Sequence, residues 1–151
     1  MPGLLPNIDP DGLLEYSVVY TDRSLNHMSS SFQRAINDVS SSLKKVYNAE
    51  SVVLIPGGGT YGMEAVARQF ATDKDCLVIR NGWFSYRWSQ ILEMGNIPSK
   101  LTVLKASREI DGPQGPFSPL DVDLVIEKTK TEKPVMVFAP HVETSAGIIL
   151  P

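Results

Sequence analysis

Apolar positions along this chain follow two different rhythms. Between residues 26 and 47, Met28, Phe32, Ile36, Val39, Leu43 and Val46 step by four, four, three, four and three. That spacing lays one stripe along a helix, with serines on the opposite side. Residues 52–55, Val-Val-Leu-Ile, form an unbroken run that predicts a strand covered on both faces. Three glycines follow, and then Met63, Val66, Ala67 and Phe70 return to helical spacing, predicting a helix to about residue 72. A second strand is expected at 76–80, ending at the turn signal Asn81-Gly82. A helix should open with the aromatic cluster at 83–88 and stop at Gly95 after Met94. A third strand is expected at 101–104, and a Gly- and Pro-rich loop at 107–117. Ser118-Pro119-Leu120-Asp121 has the form of a helix start, with Ser118 as cap and Pro119 in the first position. That helix should run to about residue 131, before a fourth strand at 134–139.

From residue 52 onward strands and helices alternate. The fold class expected is therefore α/β, with a mainly parallel sheet. Residues 1–25, proline-rich and then apolar, are expected to be an N-terminal arm that packs on something else, such as another subunit. The remainder, 26–151, should be one domain. In sheets of this kind ligands bind at the carboxyl ends of strands. The glycine turn, residues 81–87 and residues 141–147 all fall at such ends and should converge.

Composition narrows the function. The chain has 151 residues, 42% of them hydrophobic, and a net charge of −3 with mixed signs. There is no basic field to recruit nucleic acid. No apolar run approaches a membrane span, and the first residues lack the regions of a signal peptide. A cytoplasmic protein is expected. The single Cys76, inside an apolar strand, is expected in the core. One cysteine and two histidines give no metal-ligand cluster, so no metal is expected. His141, Glu143 and Ser145 are too close in sequence to form a hydrolytic triad, and no G-x-S-x-G elbow is present.

The glycine turn carries the strongest chemical signal. The first N–H groups of a helix lack intrahelical partners and carry the positive end of its dipole, so phosphate is their natural ligand. A phosphate at Gly58-Gly59-Thr60 is expected; a tight connection alone is the plainer alternative. Gly57, Gly59 and Gly62 also satisfy the dinucleotide pattern G-x-G-x-x-G. The next strand ends in Arg80 rather than an acid, which would suit the 2′-phosphate of NADP. Trp83 and Phe84 follow a strand end, where an aromatic ring can stack on a flat ligand or pack in the core. Thr144 or Ser145 can hydrogen-bond a ring substituent.

Three motifs taken together, Gly57-Gly58-Gly59-Thr60-x-x-Met63-Glu64-Ala65, Asn81-Gly82-Trp83-Phe84-x-x-Arg87 and His141-x-Glu143-Thr144-Ser145-x-Gly147, resemble the class V aminotransferases. These are pyridoxal-phosphate enzymes of fold type I, and the likeness is to the alanine–glyoxylate and serine–glyoxylate branch. It extends from about residue 16 to residue 151. It implies a partial three-layer α/β/α large domain. It also implies transfer of an amino group between an amino acid and a 2-oxo acid such as glyoxylate or pyruvate. Gly58, Gly59 and Thr60 match the turn that binds the cofactor phosphate. Phe84 matches the aromatic that stacks on the pyridine ring, and Thr144 the hydroxyl residue near the ring oxygen. Relatives often carry Ser where this chain has Gly58, so backbone groups take more of the phosphate.

The family's Schiff-base lysine and the aspartate paired with the pyridine nitrogen would fall beyond Pro151. None of the lysines at 44, 45, 74, 100, 105, 128, 130 and 133 matches that lysine. The expectation is an amino-terminal part of the large domain, inactive alone, with no catalytic residue of its own. An unpaired sheet edge would favour a homodimer or association with a partner chain. The alternatives are an NADP-binding oxidoreductase domain and a non-catalytic half-domain.

Overall fold

The structure is a computed structural model that describes residues 30–150. The expected arm, residues 1–25, lies outside the described residues, as do residues 26–29 of the first predicted helix. The chain divides into two compact units, 1–54 and 55–151.

In the first unit the described element is helix α1, Ser30–Tyr47. Phe32, Ile36 and Leu43 of the predicted stripe are half-buried, whereas Val39 and Val46 are exposed. Lys44 and Lys45 sit in its last turn, where cations oppose the negative end of the helix dipole.

The second unit runs in the order α2 (Gly59–Phe70), β1 (Asp75–Arg80), α3 (Trp83–Met94), β2 (Lys100–Lys105), β3 (Ser107–Arg108), β4 (Phe117–Ser118), α4 (Val122–Glu132), β5 (Met136–Phe138), β6 (Val142–Glu143) and β7 (Ile148–Ile149). Strands β2, β1 and β5 form a sheet in that order, and both pairings are parallel. β3 with β4 and β6 with β7 make two small antiparallel hairpins. The fold is mixed α/β with a mainly parallel sheet, as the alternation of periods predicts.

Strand β1 is central because its sequence tolerates burial on both faces: Cys76, Leu77, Val78 and Ile79 are all buried. One core gathers Ala67 and Ala71 from the α2 region with Cys76 and Val78 of β1. Leu92 of α3, Ile97 and Phe138 of β5 complete it. Trp88 joins α3 to β5 by packing on Phe138 with ring centroids 4.6 Å apart. Cys76 is in this core as expected. Burial pushes its thiol pKa up, and the neighbouring Asp75 charge adds to the effect.

The predicted strand at 52–55 does not form. Residues 52–55 join no ladder, and Val53, Leu54 and Ile55 are exposed, Val53 to 80%. A β-branched run becomes a strand only where a neighbour offers its hydrogen-bonding edge. Here the described sheet is built from β2, β1 and β5 alone. The cap of α4 also differs from expectation. Ser118 belongs to β4, and the cap is Asp121, whose carboxylate accepts from the Asp123 N–H at 2.8 Å. An acid and a serine both make good caps, and the β3–β4 hairpin claims the serine. The fourth strand is confined to Met136–Phe138, shorter than the expected 134–139.

Among the described residues, no helix is long and apolar enough to cross a membrane. No group of three or more potential metal ligands occurs among them either.

Candidate functional site

Two helices begin on this side of the second unit, and their first turns are built differently. α3 begins at Gly82, whose extended backbone (φ 179°) leads from β1 into Trp83. The Phe84 N–H donates to Glu143 Oε2 at 3.0 Å and the Ser85 N–H to Oε1 at 2.6 Å. The Ser85 hydroxyl also donates to Glu143 Oε1. That hydroxyl in turn accepts from the N–H groups of Asn81 at 2.9 Å and Gly82 at 3.0 Å. Trp83 N–H lies 3.4 Å from Ser145 Oγ. The carboxylate is 1% exposed, so three short donors and the positive end of the helix dipole stand in for its lost water. Gly82 is a steric requirement: a Cβ there would lie 2.7 Å from Glu143 Oε2.

α2 begins with no such partner. Its cap, Gly58, has extended backbone (φ −77°, ψ 165°) and no side chain to offer. The Tyr61 N–H donates to the Gly58 carbonyl at 2.9 Å. No hydrogen bond to the N–H groups of Gly58, Gly59 or Thr60 occurs among the described residues. A Cβ added to Gly58 or Gly59 would meet nothing within 4 Å. Gly57 supplies the turn, with φ at +132°, a region glycine enters freely. Its bare backbone also admits the Tyr61 ring, which a Cβ would meet at 2.5 Å.

Between these two first turns lies a pocket of about 370 Å³ lined by Gly59, Thr60, Met63, Trp83, Phe84 and Arg87. Three of the five residues singled out in the sequence therefore share one cavity: Gly59, Thr60 and Phe84. Gly58 adjoins it as the cap of α2. Phe84 is 46% exposed, and its ring also lines a second cavity of about 490 Å³ with Trp88, Phe138 and Val142. The Arg87 guanidinium is 6.0 Å from the centre of the Trp83 ring. It adds a cation to a pocket lined by no acid among the described residues.

Thr144 is exposed in the turn between β6 and β7 and is not among the residues lining either cavity. His141 is likewise exposed; its carbonyl accepts from the Leu150 N–H at 2.8 Å, closing the hairpin. Arg80 lines a different pocket from Gly59.

Glu143 is the residue that sequence reasoning undervalued. It reads as one polar group among several at a strand end. The structure makes it the bolt that fixes the β6–β7 hairpin to α3 and thereby sets where Phe84 stands. A signal was present: Gly82 before a helix, with Ser85 three positions on, marks a first turn that needs an acceptor.

The chain is similar in structure to two solved aminotransferases. Ureidoglycine–glyoxylate aminotransferase of Bacillus subtilis matches with a TM-score of 0.64 at 24% identity, over 80% of this chain and 30% of its own. Alanine–glyoxylate aminotransferase of a Nostoc species matches with a TM-score of 0.62 at 20% identity, over 83% of this chain and 31% of its own. The chain thus spans about a third of the length of each. No protein-family model matches the chain, and no curated protein does. At these identities the likeness is one of fold. The chain has the mixed α/β, mainly parallel architecture found in fold type I aminotransferases.

Proposed function

We propose that this chain forms the phosphate- and ring-holding part of a pyridoxal-phosphate-dependent aminotransferase. The observation that carries the reading is the pocket between α2 and α3. It joins Gly59 and Thr60, at an N-terminus without hydrogen-bond acceptors among the described residues, to the exposed ring of Phe84. These residues fit the cofactor. A phosphate needs N–H donors and room, and both are present at Gly58 and Gly59, where a Cβ would meet no atom within 4 Å. A pyridine ring needs a flat apolar surface, which Phe84 offers.

In this reading the N–H groups of Gly58, Gly59 and Thr60 and the Thr60 hydroxyl bind the phosphate, and Arg87 offsets its charge. Phe84 sets the tilt of the ring; the ring-oxygen contact that the resemblance implies for Thr144 has no counterpart in the lining of this pocket. When bound, the cofactor supplies an electron sink that stabilises negative charge at the amino acid's α-carbon. No lysine among the described residues lines the pocket, so the residues that do bind and orient rather than shuttle the α-proton. The substrates proposed for the whole enzyme are an amino acid and a 2-oxo acid such as glyoxylate or pyruvate. Assembly as a homodimer is part of the same proposal.

The test is a titration of the full chain with pyridoxal phosphate, read by quenching of Trp83 fluorescence, with unphosphorylated pyridoxal as control. Trp83 is 57% exposed and lines the pocket, so it should report occupancy. The expected result is saturable binding, about tenfold weaker for pyridoxal and for Thr60→Ala. Equal binding of the two compounds would overturn the phosphate assignment.

A further inference from the structure

We propose that the carboxyl ends of β1 and β2 hold a second ligand site, for a small anion bearing a flat ring. A mononucleotide is the simplest molecule of that description.

Three independent observations support the site. The first is charge. Arg80 and Lys105 stand in register across the parallel β1–β2 pair. Like charges opposite one another are unfavourable unless something neutralises them. Neither is ion-paired among the described residues. Arg80 reaches the Ser89 hydroxyl at 3.3 Å, which leaves other guanidinium donors unused.

The second is an unsatisfied polar group. Asn81 is 4% exposed, yet its side-chain Nδ2 and Oδ1 have no hydrogen-bond partner. A buried amide without partners is costly, so a native chain normally supplies one. Both atoms are closed to solvent as the chain stands, so a ligand must turn the amide toward the pocket that Asn81 lines; turned so, its donor and acceptor suit the edge of a nucleobase or similar ring.

The third is shape. Arg80, Asn81 and Lys105 line one pocket of about 530 Å³, together with the rings of Tyr86 and Phe117. That volume is within the usual range for small-molecule sites. No acidic side chain among the described residues lines it. The Arg80 guanidinium lies 5.3 Å from the Tyr86 ring centre, and that of Arg108 lies 5.1 Å from the Phe117 ring centre. The pocket shares no lining residue with the one between α2 and α3.

The experiment is calorimetric titration of the full chain with AMP, with inorganic phosphate and adenosine as the two halves of the probe. The expected result is saturable AMP binding, about tenfold weaker in Lys105→Ala and in Asn81→Ala, and weaker for either half alone. Lys105 is exposed, so its removal tests the site without threatening the fold. AMP binding should persist in Phe84→Ala, which separates this site from the proposed cofactor pocket. The proposal is overturned in any of three cases: a cooperatively melting chain fails to bind AMP, phosphate binds as well as AMP, or Lys105→Ala and Asn81→Ala leave AMP affinity unchanged.

Discussion

The first turns of α2 and α3 present the same chemical problem and solve it in opposite ways. Each helix exposes N–H groups that its own backbone cannot satisfy. At α3 the protein answers from within: a buried Glu143 carboxylate takes the Phe84 and Ser85 N–H groups. At α2 the cap is glycine, and the N–H groups of Gly58, Gly59 and Thr60 have no acceptor among the described residues. The filled turn is architecture, and the open one is where the proposed phosphate would sit. The two are coupled, because the filled turn holds Phe84 at the wall of the pocket that the open turn borders.

The comparison can be broken most severely at Glu143. Glu143→Ala removes the acceptor from buried donors and should lower stability by about 3 kcal/mol or more. Urea unfolding of the two proteins measures this, and a loss under about 1 kcal/mol would mean that the carboxylate is not the anchor. Gly82→Ala should have the next largest effect. Its new methyl would crowd the carboxylate at 2.7 Å, a clash expected to cost about 1–3 kcal/mol. Gly59→Ala, the matching change at the open turn, should behave in the opposite way. Its Cβ meets nothing within 4 Å, so stability should stay within about 1 kcal/mol of the parent while pyridoxal-phosphate affinity falls. A Gly59→Ala chain as destabilised as Gly82→Ala would erase the distinction between the two turns.

The sequence reveals this pair of turns unevenly. The open turn is legible because its signal is local: glycines, then Thr60, then helical spacing. The helices and strands β1 and β2 are legible for the same reason. The closed turn depends on a contact between Phe84 and Glu143, 59 positions apart, which no local pattern encodes. The failure at residues 52–55 has the same cause. Val-Val-Leu-Ile has the composition of a buried strand, but composition does not supply the neighbouring edge that pairing needs, and the run joins no ladder. The hairpins β3–β4 and β6–β7 are two residues deep on each side, too short to impose a period of two. The role of Ser118 changed with the first of them. Of the candidate residues, Gly58, Gly59, Thr60 and Phe84 stand out by their place at element ends. Thr144 stands out as a hydroxyl after the fourth predicted strand, and the structure places it in a hairpin turn.

The most direct test of the account is amide hydrogen exchange, residue by residue, on the full chain with and without pyridoxal phosphate. The account predicts that Phe84 and Ser85 exchange slowly in both samples, because Glu143 already holds them. Gly59 and Thr60 should exchange quickly alone and slow markedly when the cofactor is added. Fast exchange at Phe84 and Ser85, or no change at Gly59 and Thr60 under saturating cofactor, would contradict it.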